Sequence, residues 1–389
     1  MRFFLIAGEP SGDALGAALM AGLKRLNPDV AFTGVGGPLM QAEGLQSLFP
    51  MEELSVMGLA EVLPRYAHLL RRIRQCAAEV IRTHPDALIT IDSPDFGLRV
   101  ARRVKRASAV RTVHYVAPTV WAWRPGRARK MAAYIDQVLA LFPFEPPYME
   151  AAGIRCDFVG HPVVAQPQAD AAEVAAFRST HDLTQDGRML LVLPGSRRAE
   201  VERLAPIFGA ALGPVLRRHP SLRIVVPAAP AVADRIPGLL ANWPGDPIML
   251  DPRGKTEADA AAEKRAAFAA ADLALAASGT VSLELAAAGT PMVVAYDMNR
   301  ISRELIRRLL RIDTLTLVNI VSETRAVPEF LGEACRPAQI GAALLDLLDD
   351  DKARAAQLDA ARKTMHRLGV GEDPPGLRAA RAVLDGLNH

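Results

Sequence analysis

Short, uninterrupted apolar runs, each closed by turn residues and followed by a helical pattern, constrain this chain more than any other feature. They fall at residues 3–7, 87–91, 112–116 and 137–141, and again at 189–193, 223–226, 273–277 and 292–295. A strand that is apolar at every position is buried on both faces, as happens in a parallel sheet covered by helices on either side. Length then sets how many such sheets to expect. Domains run ~100–200 residues, and this chain has 389. The stretch 158–170, with Gly160, His161, Pro162 and Pro167, interrupts the alternation. The predicted fold class is therefore α/β, with two Rossmann-like doubly wound domains facing a cleft. They are placed at 1–165 and 166–345, with a helical tail at 346–389. Asp349-Asp350-Asp351 reads as a solvated helix boundary.

Composition removes several classes of function. A formal net charge of +3 gives no reason to expect a nucleic-acid partner. Cys76, Cys156 and Cys335 are odd in number, far apart and without a CxxC, which argues against a disulfide framework or zinc site and for a reducing cytoplasm. His114 and His161 have no ligand spacing, so no metal and no cofactor is expected. The apolar start at residues 3–7 is too short for a signal peptide, and Glu9 and Asp13 follow at once. No apolar stretch reaches the ~18–20 residues that span a bilayer, so membrane contact is expected to be peripheral.

In open parallel sheets ligands bind beyond the carboxyl ends of the strands, so the turns there are where chemistry is sought. Leu193-Pro194-Gly195-Ser196-Arg197 leads from a strand into a helix. Gly195 and Ser196 can bring free amides to a phosphate, and Arg197 can neutralise a diphosphate. The same spacing also suits a plain turn capped by Ser196. Ser278-Gly279-Thr280 is a second such turn, with Glu284 one helical turn further on. That carboxylate can accept the two hydroxyls of a ribose, or merely complement the helix dipole. Gly8-Glu9-Pro10-Ser11-Gly12-Asp13 and Gly34-Val35-Gly36-Gly37-Pro38 are glycine-rich but do not form GxGxxG, which counts against a dehydrogenase. Asp92 ends a strand, where a carboxylate can take a proton from a hydroxyl; it can equally cap the helix that begins at Pro94.

Between residues 57 and 73, Leu59, Val62, Leu63, Tyr66, Leu69 and Leu70 repeat at three- and four-residue spacing, with Arg65, Arg71, Arg72 and Arg74 off the stripe. A basic amphipathic helix of this kind can lie in a membrane interface, or pack on a core as surface helices commonly do. Two of the three tryptophans, Trp121 and Trp123, lie in a loop after a strand, with Arg124 beside them.

Taken in order, the segments 7–13, 51–58, 91–96, 114–124, 193–201 and 277–280 resemble the lipid-A-disaccharide synthase family, glycosyltransferase family 19. The resemblance implies the GT-B arrangement of the two domains: an acceptor-binding first domain with a membrane-facing helix and a UDP-sugar-binding second domain. It implies UDP-2,3-diacylglucosamine as donor and 2,3-diacylglucosamine 1-phosphate as acceptor, at the inner membrane surface of the cytoplasm. It also implies a donor contact from Asn319, and an acceptor or phosphate contact from Ser11 and Gly12. Two positions depart from the family pattern: Pro10 where Thr is expected, and Val318 where Pro is expected before Asn319. The long tail could exchange between subunits of a homodimer.

The implied reaction converts an α-linked donor into a β-linked product, hence one inverting displacement. Asp92 is assigned as the base. Gly195, Ser196 and Arg197 are assigned to the departing diphosphate, Ser278, Gly279 and Thr280 to the nucleotide, and Glu284 to the ribose. A helix terminus with Arg can stand in for a cation. Two other readings fit the same fold: a UDP-sugar epimerase, and a lipid- or nucleotide-binding protein without catalysis.

Overall fold

The computed structural model describes residues 1–54, 59–121, 126–184, 187–298 and 312–388, with the backbone alone at 59–65. The chain divides into two compact units, Met1–Ala165 with Leu368–His389, and Gln166–Arg367.

In the first unit the described strands are β1 (Arg2–Ala7), β2 (Ala31–Val35), β3 (Gln46–Ser47), β4 (Ala87–Ile91), β5 (Arg111–Tyr115), β6 (Gln137–Ala140) and β7 (Arg155–Phe158). They form a parallel sheet in the order β3-β2-β1-β4-β5-β6-β7. Its helices include α1 (Pro10–Leu26), α2 (Pro38–Ala42), α3 (Leu59–Thr83), α4 (Pro94–Ala107), α5 (Gly126–Met131) and α6 (Pro146–Glu150). Successive strand residues point to opposite faces, and both faces are covered. Phe4, Ile6 and Leu88 pack with Ile73, Val80, Val100 and Val104 of α3 and α4. Phe3, Leu5, Ile89 and Ile91 pack with Leu15 and Leu19 of α1 on the other side.

The second unit repeats the plan. Its strands are β8 (Met189–Leu193), β9 (Arg223–Pro227), β10 (Ile248–Leu250), β11 (Leu273–Ala277), β12 (Met292–Tyr296) and β13 (Glu329–Leu331). They are again parallel, in the order β10-β9-β8-β11-β12-β13. Among its helices are α7 (Ala171–Thr180), α8 (Arg198–Arg218), α9 (Ile236–Leu240), α10 (Glu257–Ala270) and α11 (Val281–Ala287). The fold is thus the expected pair of doubly wound Rossmann-like units. Each sheet reverses its winding at one point, between β1 and β4 and between β8 and β11.

The apolar runs are all strands. The strands that carry no such run are β2, β3, β7, β10 and β13. Their burial is less complete: β2 has an exposed and an intermediate residue among three buried ones, and β13 is intermediate throughout.

The tail at 346–389 is not a unit of its own. Its first part belongs to the second unit: Leu347 and Leu348 lie in that core. The buried Gln357 side chain accepts from the Met292 amide (2.8 Å) and donates to the Met292 carbonyl (3.1 Å), as a neighbouring strand would. Asp350 separates two helices and accepts from the Lys352 amide at 2.8 Å, which fits the expected helix boundary. From Leu368 the chain returns to the first unit. There the helix Pro375–Leu387 lies on α1, with Ala379, Ala380 and Val383 in the same core as Leu19. The approach is backbone to backbone: a side chain at Gly376 would overlap the Ala18 carbonyl, and one at Gly22 the Gly376 carbonyl. Gln137 ties the helix down by donating to the Ala382 carbonyl at 2.7 Å. Small residues make the closest part of the seam: Ala18 and Gly22 on α1, Gly376 and Ala380 on the closing helix.

Candidate functional site

In the second unit the winding reverses between β8 and β11, and a cavity of about 860 Å³ opens beyond the carboxyl ends of these strands. Gly195, Ser196 and Arg197 line it from the β8–α8 turn, and Ser278, Gly279 and Thr280 from the β11–α11 turn; Glu284 of α11 and Lys264 of α10 complete the wall. Seven of the eight expected donor residues therefore share one cavity.

Gly195 has φ +123, a conformation that favours glycine. It lets the turn bend so that the Ser196 amide faces the start of α8. Ser196 does not cap that helix; Arg197 is the N-cap residue, with no side-chain cap bond. The Ser196 amide instead donates to the Glu200 carboxylate at 2.9 Å. In the second turn neither Ser278 nor Thr280 caps α11 through its side chain. The buried Ser282 hydroxyl donates to the Gly279 carbonyl at 2.9 Å and steadies the turn from beneath. Glu284 accepts from Lys264 Nζ at 2.5 Å. Both side chains are partly exposed, so the pair orients the carboxylate more than it stabilises the fold. Tyr296 ends β12 nearby. Its phenol is held above its ordinary range by burial first, and then by the negative charge of Glu200.

Asn319, the eighth expected donor residue, does not line the cavity. It is 1% exposed. Its side chain accepts from the Val327 amide at 3.0 Å and donates to the Val327 carbonyl at 2.9 Å. Val318, beside it, is buried in the helix Leu317–Ser322. The side-chain amide is committed to holding the 319–327 turn.

In the first unit the corresponding point lies between β1 and β4. Asp92 and Ser93 follow β4 with φ +48 and +36, and Val116 follows β5 with φ +81. Non-glycine residues at positive φ cost about 1–3 kcal/mol each and gather at functional sites. The Asp92 amide donates to the Tyr115 carbonyl at 2.9 Å, which fixes this bend. The Asp92 carboxylate is half-buried and makes no hydrogen bond among the described residues. Pro94 begins α4, and Ser93 caps nothing with its side chain. Ser11 is exposed and Gly12 buried at the start of α1. Gly8 lies so close to Ser93 that a side chain there would overlap its hydroxyl, so the two turns touch. Pro10 occupies the first helical position, where a missing N–H costs nothing.

The glycine-rich turn at 34–38 holds an anion, and it is the chain's own. The Asp13 carboxylate, 2% exposed, accepts from the amides of Gly37 (2.8 Å), Leu39 (3.0 Å) and Met40 (3.0 Å).

Sequence reasoning missed an aromatic group beyond β5 and β6. Trp121 meets Phe144 edge-on at 5.0 Å, and Phe142 stacks on Phe144 at 5.3 Å and meets His161 at 5.3 Å. The buried Glu145 follows Phe144 and accepts from the amides of Leu141 (3.1 Å) and Phe142 (3.0 Å). Burial pushes its carboxyl up to about 7, against the pull of those amides and Trp121. His114 is buried against Thr90 Oγ1 at 2.8 Å, and burial, then the Arg127 charge, bring it down to about 4. Trp123 and Arg124 lie outside the described residues.

Of the expected membrane stripe, the side chains of Leu59, Val62 and Leu63 lie outside the described residues. Tyr66 is 44% exposed. Leu69 and Leu70 are partly buried and pack against the core under α3. Arg72 turns inward and donates to both carboxylate oxygens of Glu53, at 2.7 and 2.8 Å. That contact holds the Glu53 carboxyl below its ordinary range and ties the 51–53 segment to α3. Arg71 and Arg74 remain exposed. Among the described residues no helix is long and apolar enough to cross a membrane, and no three His, Cys, Asp or Glu side chains group as metal ligands do.

The model of the family described as lipid-A-disaccharide synthetase matches residues 3–373. A lipid-A-disaccharide synthase of Ruegeria pomeroyi is 64% identical over 387 residues, covering 100% of this chain and 96% of the relative. One from Rhodospirillum centenum is 50% identical over 387 residues, covering 99% and 94%. Among solved structures, UDP-GlcNAc 2-epimerase from Neisseria meningitidis bound to UDP-GlcNAc aligns over 100% of both chains, with a TM-score of 0.66 at 12% identity. MurG of Acinetobacter baumannii aligns over 100% of this chain and 99% of its own, with a TM-score of 0.55 at 14% identity. At such identities the likeness is one of fold, and it does not separate a transferase from an epimerase.

Proposed function

Because the chain belongs to the lipid-A-disaccharide synthetase family and forms the lipid A disaccharide, we propose which residues hold and activate its two sugars. The second unit takes UDP-2,3-diacylglucosamine in the cavity beyond β8 and β11. The first unit brings Asp92 to the acceptor, 2,3-diacylglucosamine 1-phosphate. The observation that carries this reading is the convergence of both glycine turns and Glu284 on one cavity.

In the proposed reaction Asp92 takes the proton of the acceptor 6-hydroxyl as its oxygen attacks the anomeric carbon of the donor. The bond from that carbon to the diphosphate breaks with inversion, and UDP departs with the bonding pair. The Ser196 amide, the positive end of α8 and Arg197 meet the charge that develops on the diphosphate. Ser278, Gly279 and Thr280 seat the nucleotide, and Glu284, oriented by Lys264, accepts the ribose hydroxyls. Asp92 suits the role because its strained bend presents a half-buried carboxylate that accepts from no donor among the described residues.

Ser11 and Gly12 are proposed to meet the acceptor or its phosphate, at the turn that touches Ser93. The acylated acceptor implies a lipid surface on the cytoplasmic side of the inner membrane. Support for peripheral contact comes from the outer faces of α3 and α4, where Arg71, Arg74, Arg99, Arg102 and Arg106 are exposed. Each basic residue near an anionic surface contributes about 1 kcal/mol.

The test is UDP release from UDP-2,3-diacylglucosamine with and without the acylated acceptor. Release that requires the acceptor, together with formation of the disaccharide 1-phosphate, supports the reading. Interconversion of the donor without acceptor would instead mark an epimerase.

A further inference from the structure

Two of the glycine-rich turns already hold a carboxylate of this chain, and the two differ in kind. Asp13 is buried and accepts three amides, so it is a fixed part of the first unit. Glu200 is only half-buried, accepts one amide, and lies on the wall of the donor cavity beside Arg197. Its carboxylate packs so tightly on Gly195 that a side chain there would overlap it. Glu200 therefore sits on the amide that the turn would otherwise present to a phosphate. A single hydrogen bond to a partly exposed carboxylate is weak enough to exchange, and Tyr296 at the end of β12 lies close enough for the Glu200 charge to raise its phenol pKa.

We propose that Glu200 is a displaceable internal anion: it holds the Ser196 amide in line, gives that amide up to the diphosphate of the donor, and swings to Tyr296. The proposal rests on the reading of this cavity as the donor site and adds a positioning residue to it. Glu200 keeps the turn ordered before binding. Once displaced, its charge stays close to the diphosphate and opposes it. The site thereby holds UDP less tightly than its amides and Arg197 would alone, which favours release of the product.

Two variants move binding in opposite directions. Glu200→Gln keeps the length and an acceptor oxygen for the Ser196 amide but removes the charge. UDP should bind the variant roughly fivefold more tightly, the size of one like-charge pair near 4 Å in a water-like medium. Uridine, which lacks phosphates, should bind both proteins equally. Tyr296→Phe removes the group that receives Glu200, so UDP should bind less tightly while uridine is unchanged. Titration calorimetry of the three proteins with UDP and with uridine, alongside thermal melting, reads the affinities. Unchanged or weaker UDP binding by a folded Glu200→Gln protein would overturn the role. So would parallel weakening of UDP and uridine with a lowered melting temperature, which is the mark of a simple helix cap. If the wild type binds no UDP, the donor-site reading itself falls, and this role with it. Wild-type UDP binding with no difference in Glu200→Gln removes the role of Glu200 alone.

Discussion

Glu145 makes the stability of the first unit depend on pH in a direction opposite to most carboxylates. It is 3% exposed, and burial holds its carboxyl at about 7 instead of the ordinary 4.5. An acid whose folded pKa is raised binds its proton more tightly when folded. Its stabilising contribution is complete below pH 4.5 and is lost as pH rises through about 7. At about 1.4 kcal/mol per pKa unit, the rise from 4.5 to about 7 corresponds to about 3 kcal/mol. Glu145→Gln keeps the acceptor for the Leu141 and Phe142 amides and carries no charge at any pH. Urea unfolding of both proteins, followed by tryptophan fluorescence between about pH 5 and pH 8, measures the difference. The Gln protein should gain about 3 kcal/mol relative to wild type across that range. His114 and His161, both brought down to about 4 by burial, act the other way. Their contribution is present above their ordinary 6.5 and is lost as pH falls towards 4. Since both proteins retain them, they cancel in the difference. Two stability curves that stay parallel between pH 5 and pH 8 would refute the argument.

Asp92→Asn should retain UDP binding and lose turnover by ~10²–10⁴-fold, measured as disaccharide formation; near-normal turnover in a folded protein removes Asp92 from the reaction. Arg197→Ala should reduce the protection that UDP gives against heat, and equal protection of both proteins would mean that Arg197 points elsewhere. Gly376→Ala should destabilise the first unit by ~1–3 kcal/mol, as overpacking does, because a methyl group there meets the Ala18 carbonyl; an unchanged melting temperature would show that α1 and the closing helix can part at little cost. Arg71→Glu with Arg102→Glu should lower co-sedimentation with anionic vesicles without affecting the melting temperature, and undiminished sedimentation would place the lipid contact on another face.

The central strands could be read from the chain because a parallel strand buried on both faces must be apolar at every position. The edge strands could not, since β3 and β13 are never fully buried and leave no run to see. The donor turns were legible for a similar reason: a strand that stops at Gly195 or Ser278 and restarts as a helix leaves both a glycine and a change of period. Their neighbours were not. Lys264 reaches Glu284 from a different helix, and Tyr296 meets Glu200 from a different strand, so only the folded sheet brings them together. Asn319 shows the converse. The resemblance alone implies its donor contact, and its side chain is hydrogen-bonded to Val327 and Thr314, which no spacing reveals. Glu145 sits in Phe142-Pro143-Phe144-Glu145, a string with the look of a loop, yet the folded chain leaves it only 3% exposed.

The helix Pro375–Leu387 completes the core on the α1 side of the first sheet, which residues 1–165 cover only in part. On the ribosome that face must wait. More than two hundred further residues are added before Val383 emerges, roughly 10–40 s at ~5–20 residues per second. Throughout that interval the second unit, which ends at Arg367, is still being made, and Leu15, Leu19 and Leu23 lack their final cover. A chaperone that recognises apolar surface would therefore meet this chain at its beginning, while its second half is still being made.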